Sequence, residues 1–158
     1  MNQKILFICR HNAGRSVIAE SLAKQYLPSQ FAVASGGSHP TGSINPVVKH
    51  FLQNKSLPVP HNYAHSWEER TAFLPDIVIT LCDSLHNEPT PLWLSGGIRV
   101  HWQADAFPQQ GDEQQLSAHC DLLYESLQRR IIAMSGILQQ ADLNDQDLKD
   151  ELAKLNAM

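Results

Sequence analysis

Eight consecutive residues, Cys9-Arg10-His11-Asn12-Ala13-Gly14-Arg15-Ser16, bring a thiol, two guanidinium groups, a carboxamide and a hydroxyl into one short stretch. The apolar run before them, Ile5-Leu6-Phe7-Ile8, reads as a buried strand, and Val17-Ile18-Ala19-Glu20-Ser21-Leu22-Ala23 after them has the spacing of a helix. A cysteine at such a strand-to-helix turn faces successive backbone N–H groups and the positive end of the helix dipole, a setting that stabilises anions. Its thiol pKa is expected to fall from ~8.5 to about 4–7, which makes Cys9 a thiolate near neutral pH. Arg15 can fold back over the same turn and offer a planar fork of donors to a tetrahedral oxyanion. The predicted chemistry is attack by sulfur on a bound oxyanion, with Arg10, His11, Asn12, Ala13, Gly14, Arg15 and Ser16 forming the oxyanion-binding loop.

Cys82 is the second candidate thiol. It ends the run Asp76-Ile77-Val78-Ile79-Thr80-Leu81, β-branched and apolar enough to be buried on both faces. Two readings stay open for it: a thiol that attacks the Cys9 sulfur, or a buried residue that merely ends a strand. Cys120 falls inside a long amphipathic pattern and reads as a small core residue. Three cysteines at wide spacing suit neither a disulfide framework nor a tetrahedral metal site, and eight histidines show no metal-ligand pattern, so no metal is expected. His11 reads as a lip beside the anion, while Trp93, Trp102 and Phe107 are candidates for pocket wall or core.

Strands and helices must alternate to bring the two cysteines to one side. Helix signals cover Ser16 to about Tyr26, a strand follows at 31–35, and Gly36 to Gly42 reads as a loop. Asn45-Pro46 is a cap followed by a first-turn proline for a helix to Asn54, and Ser66 with Glu69 has the capping-box spacing of a short helix ending at Phe73. After the strand that delivers Cys82, a polar loop runs from Asp83 to Gly97, Ile98–Trp102 reads as a fourth strand, and residues 103–111 as irregular chain. Leu116, Leu123, Leu127, Ile131, Met134 and Leu138 then describe one long helix from Asp112. This alternation predicts an α/β fold, three layers deep, around a four-stranded parallel sheet with helices as crossovers. In such a sheet ligands bind outside the carboxyl ends of the strands, so Cys9 and Cys82 are expected to open onto the same crevice. The single predicted domain spans residues 1–140. Residues 141–158 read as an appended helical tail, with an Asn144 cap and Leu148, Leu152 and Leu155 at helical spacing.

The 158 residues, 42% hydrophobic and 18% charged, suit one soluble globular unit. No apolar run approaches the ~20 residues of a membrane span, no signal segment is visible, and a cytoplasmic location is expected. A net charge of −4 without a basic stripe argues against nucleic acid as a partner. An anionic substrate must then be captured by a local feature rather than by the whole surface.

The pattern Cys-x5-Arg-Ser between a first strand and a first helix resembles the phosphate-binding loop of the low-molecular-weight tyrosine phosphatases and of the arsenate reductases that share their fold. Ser35 to Gly42 followed by Asn45-Pro46, then Thr80-Leu81-Cys82-Asp83, then His101-Trp102, are similar to the reductases more than to the phosphatases. The phosphatase branch carries Asp-Pro and aromatic residues in its acid loop, and no such string occurs here. The resemblance covers residues 4 to about 138. It implies a doubly wound, flavodoxin-like strand order, with Cys9 as nucleophile, Arg15 as oxyanion clamp, Ser16 as support for the thiolate and Asp105 as general acid. By the same resemblance, Asn12, Glu20 and Ser35 brace the loop, in some family members around a monovalent cation.

The implied activity is reduction of arsenate to arsenite through a Cys9 adduct and a thiol/disulfide step, with Cys82 as the resolving thiol. No tightly bound cofactor is implied, only an external thiol donor: glutathione with glutaredoxin, or thioredoxin. Two departures bear on this. Asp105 is followed by Ala106 where the family has proline, and the thioredoxin-coupled members use a third cysteine where this chain has Thr90. Alternatives are a phosphatase acting on phosphotyrosine or another phosphomonoester through a cysteinyl-phosphate, and a weakly catalytic oxyanion-binding or redox-sensing protein.

Overall fold

The computed structural model describes residues 3–40, 42–61, 63–82, 97–104, 111–140 and 142–158. Its centre is a four-stranded sheet in the order β2-β1-β3-β4, comprising β1 (Lys4–Cys9), β2 (Ala32–Gly37), β3 (Ile77–Thr80) and β4 (Ile98–His101). All three pairings are parallel, as the alternating pattern requires. Ile5, Leu6, Phe7 and Ile8 of β1 and Ile77 and Ile79 of β3 are wholly buried, which is why these runs lack the polar alternation of a half-exposed strand. Each such side chain stabilises the fold by roughly 1.5–3 kcal/mol. The chain leaves β1 toward β2 on one side and returns to β3 on the other. The crevice therefore opens between the carboxyl ends of β1 and β3, where Cys9 and Cys82 emerge.

Helix α1 (Arg15–Tyr26) starts directly from the loop after β1, and it is more enclosed than a one-faced helix. Every residue from Ser16 to Ala23 is buried, because α1 is packed both on the sheet and against the long helix α3 (Glu113–Leu138). Helix α2 (Pro46–Asn54) begins as predicted, with the Asn45 side chain accepting from the Val47 N–H at 2.9 Å. Ser66 and Glu69 form the capping box of a 3-10 helix, Trp67–Phe73, rather than of an α-helix. Asp112 caps α3 by accepting from the Gln115 N–H at 2.8 Å, while Gln115 returns a bond to the Asp112 N–H.

The fourth strand ends one residue early, at His101, and the second differs from its expected bounds at both ends. Gly36 and Gly37 belong to β2, not to the loop after it, since the pairing with β1 runs through Cys9 opposite Gly37. The two glycines are there for space: a Cβ on Gly37 would stand 2.7 Å from the Arg10 carbonyl oxygen and 2.9 Å from the Asn12 nitrogen. At the far end of the chain, α4 (Asp145–Lys154) starts at the Asn144 cap. Leu148, Leu152 and Leu155 join the same buried cluster as the sheet, and the Trp102 indole donates to the Leu152 carbonyl at 2.9 Å. Among the described residues no helix is long and apolar enough to cross a membrane.

Candidate functional site

Peptide geometry makes the turn after β1 an anion cradle. Its carbonyls are tied to the surrounding frame: Cys9 to the Ser38 N–H at 3.2 Å, Arg10 to His39 at 2.7 Å, Ala13 to Asn45 at 3.2 Å and Gly14 to Ile18 at 3.0 Å. In a trans peptide the C=O and the following N–H point in opposite directions. Holding the carbonyls of Arg10, Ala13 and Gly14 away from the crevice therefore turns the N–H groups of His11, Gly14 and Arg15 toward it. The last of these lie at the start of α1, where the helix dipole adds positive potential.

Asn12 is the keystone of this turn. It adopts a left-handed conformation, φ 51°, which asparagine tolerates better than most residues. Its backbone N–H donates to Cys9 Sγ at 3.2 Å, and its Oδ1 accepts from the His65 N–H at 2.7 Å. That second bond fixes which end of the amide is nitrogen. Nδ2 then donates to Ser16 Oγ at 2.7 Å and to Ser35 Oγ at 2.9 Å. With Ser16 accepting from Asn12, its own hydrogen is directed to Cys9 Sγ, 2.9 Å away. Ser35 in turn donates to Glu20 Oε1 at 2.6 Å, and Glu20 Oε2 pairs with Lys24 at 2.7 Å. Asn12, Ser16, Glu20 and Ser35 are all buried, so each of these bonds is made out of reach of competing water.

The two sulfurs divide one proton unequally. Cys9 is held far below the ordinary thiol value, at about 5, foremost by a hydrogen bond from the Cys82 thiol. Burial opposes this, and the Arg15 charge and the Ser16 hydroxyl and N–H outweigh it. The same bond, with burial and the Cys9 charge, pushes Cys82 up. Arg15 and the Arg10 N–H, which donates to Cys82 Sγ at 3.2 Å, pull it the other way. The resting arrangement is thus a Cys9 thiolate beside a Cys82 thiol, at the mouth of a positively polarised turn.

Of the predicted residues, Cys9, Asn12, Ser16, Glu20, Ser35 and Cys82 meet in this one network. Arg15 is half-buried, with one guanidinium nitrogen 3.5 Å from the Ala104 carbonyl, so it leans across the crevice toward the end of β4. Arg10 differs from its expected role: its side chain is exposed and its N–H is committed to Cys82. His11 and Ala13 are half-buried, and Gly14 is buried at the helix start. Asp105, Ala106 and Phe107, like Thr90 and Trp93, lie outside the described residues. Trp102 and Cys120 are core residues, wholly buried. Sequence reasoning missed His61 and Arg70. The His61 ring reaches both Ser35 and Glu20, and Arg70 Nε donates to the Ser35 carbonyl at 2.8 Å. Both are far from the loop in sequence and carry no local motif. Lys24 was the one missed neighbour with a signal, at helical i,i+4 spacing from Glu20.

Proteins similar in sequence or in fold are known. Among curated relatives, an arsenate reductase of Halalkalibacterium halodurans is 29% identical over 106 residues, covering 66% of this chain and 75% of that protein. A glutaredoxin arsenate reductase of Synechocystis is 28% identical over 103 residues, covering 65% of this chain and 77% of that one. Among solved structures, an arginine phosphatase from Geobacillus stearothermophilus superposes with a TM-score of 0.67 at 19% identity, over 90% of this chain and 99% of that one. An arsenate reductase from Archaeoglobus fulgidus does so with a TM-score of 0.64 at 22% identity, over 80% and 98%. The sequence profile of the low molecular weight phosphotyrosine protein phosphatases matches residues 4–132, from the first strand through most of α3, and the chain belongs to that family.

Proposed function

We propose that this protein is a thiol-dependent arsenate reductase. One observation carries the reading: Cys82 Sγ stands in the oxyanion loop beside Cys9, accepting from the Arg10 N–H at 3.2 Å. A phosphatase needs one sulfur, since water completes its cycle, whereas a reductase needs a second within reach of the first. The arsenate reductases among the curated relatives support the same choice.

In the proposed cycle arsenate is held by the loop N–H groups and Arg15. The Cys9 thiolate forms a bond to arsenic as one oxygen leaves as water, its proton supplied by Asp105. Cys82 then forms a bond to the Cys9 sulfur. The S–As bond breaks, its electron pair passes to arsenic, As(V) becomes As(III), and arsenite leaves a Cys9–Cys82 disulfide behind. The electrostatics order these steps. While Cys9 is a thiolate, its interaction with Cys82 and its charge, together with burial, keep the proton on Cys82; once Cys9 is bound to arsenic the sulfur's own contribution is gone, and Arg15 and the Arg10 N–H work against burial alone. The resolving thiol is thus activated by completion of the first step. With Thr90 in place of a third cysteine, the disulfide stays at the loop, where a small thiol enters more easily than a protein. Glutathione with glutaredoxin is the proposed donor system.

The second reading, a phosphatase, is favoured by the family profile itself. Replacing one residue separates the two. Cys82→Ser should abolish arsenate reduction and retain any hydrolysis of p-nitrophenyl phosphate. Asp105→Asn should lower turnover by roughly 10²–10⁴ while leaving oxyanion binding nearly unchanged. Hydrolysis without arsenate reduction in the parent protein would assign the phosphatase instead. Tight oxyanion binding with neither turnover would assign a binding protein.

A further inference from the structure

The chain that follows β4 is held from two sides. The Trp102 N–H donates to the Thr80 carbonyl at 2.8 Å and the Ala104 N–H to the Leu81 carbonyl at 3.1 Å, so both residues stay against the end of β3. In extended chain, alternate residues turn their main-chain N–H and C=O to opposite edges. Those of Gln103 therefore face the outer edge, where among the described residues no further strand follows β4. The appended tail takes that place. The Gln103 N–H donates to Asn156 Oδ1 at 2.6 Å, and the Gln103 carbonyl accepts from Arg130 Nη1 at 2.8 Å. Beside them, the Trp102 indole donates to the Leu152 carbonyl of α4 at 2.9 Å.

Arg130 links these contacts. It projects from α3, is 5% exposed, and its Nη2 lies 3.4 Å from the main-chain oxygens of both Asn156 and Met158. One guanidinium thus joins α3, the 3-10 turn Leu155–Ala157 and the chain leaving β4. Burial, with the nearby charge of Arg129, pulls its pKa down, so these bonds are made against a desolvation cost that an apolar side chain of similar volume would not meet. Because the guanidinium is planar and aims its donors in fixed directions, it sets where the three segments lie relative to one another, and not only that they touch.

Ala104, the residue after this clasp, immediately precedes Asp105 in the chain. Its own carbonyl is the group that Arg15 Nη1 reaches at 3.5 Å, so the approach to the acid and the oxyanion clamp meet at one residue. On the other side of the acid, Ala106 leaves φ free where a proline would fix it, which puts weight on restraint from the preceding chain. We propose that Arg130 and Asn156 are positioning residues for the general acid Asp105: by occupying the outer edge of Gln103 they fix the direction in which the chain leaves β4, and with it the reach of the acid toward the bound oxyanion. A misplacement of ~1 Å at a reacting group is enough to lower a rate by about 10²-fold. The inference rests on the proposed role of Asp105 and not on whether the substrate is arsenate or a phosphomonoester.

Asn156 is exposed, so replacing it tests the clasp without opening the core. Asn156→Ala removes the acceptor, and Asn156→Asp keeps it. On arsenate with glutathione and glutaredoxin, or on p-nitrophenyl phosphate, kcat should fall on the order of tenfold in Asn156→Ala and return to within about twofold of the parent in Asn156→Asp. KM, and the phosphate concentration that protects Cys9 from alkylation, should move less than about twofold, because binding to the loop is left intact. In an Asp105→Asn background, Asn156→Ala should lower kcat by less than about twofold more, since both changes act through one group. Losses that multiply in the two backgrounds, a loss that Asn156→Asp does not restore, or an Asn156→Ala variant as fast as the parent would each overturn the clasp while leaving Asp105 as the acid. A parent that turns over neither substrate, or an Asp105→Asn variant as fast as the parent, strikes down the acid assignment itself and the inference with it.

Discussion

Cys9 and Cys82 are the same chemical group in neighbouring positions, and everything that distinguishes them comes from their surroundings. Cys9 receives hydrogen bonds from Asn12 and Ser16 and is held down further by the Cys82 thiol and the field of Arg15; Cys82 receives one from Arg10 and faces a negative sulfur. The sign of the consequence is definite. A thiol pKa lowered to about 5 means that Cys9 is ionised throughout the neutral range and gains its proton only as pH falls through that value. Alkylation of the parent by iodoacetamide should therefore level off well below neutral pH, with inorganic phosphate protecting Cys9; a rate still climbing through pH ~8.5 would show an unperturbed thiol. Arg15→Lys keeps the charge and loses the bidentate fork, so phosphate should protect Cys9 at least about tenfold less well, while the alkylation profile moves only slightly upward. The loop residues were legible in the sequence because they are contiguous, and a thiol, a fork and a hydroxyl within one turn leave few other uses. His61 was not, because it meets Glu20 across 41 positions of the chain.

At the level of elements, the loop is shaped from below by β2 and from the side by α1. Gly36 and Gly37 looked like a turn because glycine pairs usually mark one. Here they extend a strand beneath the loop, a use visible only once β1 and β2 are paired. Gly37→Ala should push on the Arg10 and Asn12 backbone, raise the phosphate dissociation constant several-fold, and cost about 1–3 kcal/mol in denaturant unfolding. Helix α4 acts elsewhere. Its leucine spacing was readable, but its partner was not: it packs at β4, gives Trp102 a carbonyl, and has Asn156 beyond its end accept from the Gln103 N–H at 2.6 Å. Leu152 is wholly buried, and Leu152→Ala should cost about 2–5 kcal/mol of stability. Because α4 does not touch the loop hydrogen bonds, the Cys9 alkylation profile of that variant should match the parent below its unfolding temperature.

Over the whole molecule, a net charge of −4 surrounds a site that must hold an anion. The sheet resolves the conflict by concentrating backbone dipoles, a helix start and one guanidinium at its topological switch point. Parallel strands with helical crossovers were predictable from alternation, whereas the strand order followed from the family resemblance. The proposed account also fixes what must come from outside the chain. With the disulfide buried at the loop, turnover on arsenate should run with glutathione and glutaredoxin and be at least about tenfold slower with thioredoxin and its reductase alone. The most direct measurement needs no donor at all. Fully reduced protein, freed of small thiols, is mixed with arsenate, and arsenite release and cysteine pairing are followed by arsenic speciation and peptide mass spectrometry. The account predicts one arsenite per protein, then no more, with Cys9 joined to Cys82. Arsenite formed without that disulfide, or no arsenite from a protein whose Cys9 and Cys82 are both reduced and alkylatable, would contradict it.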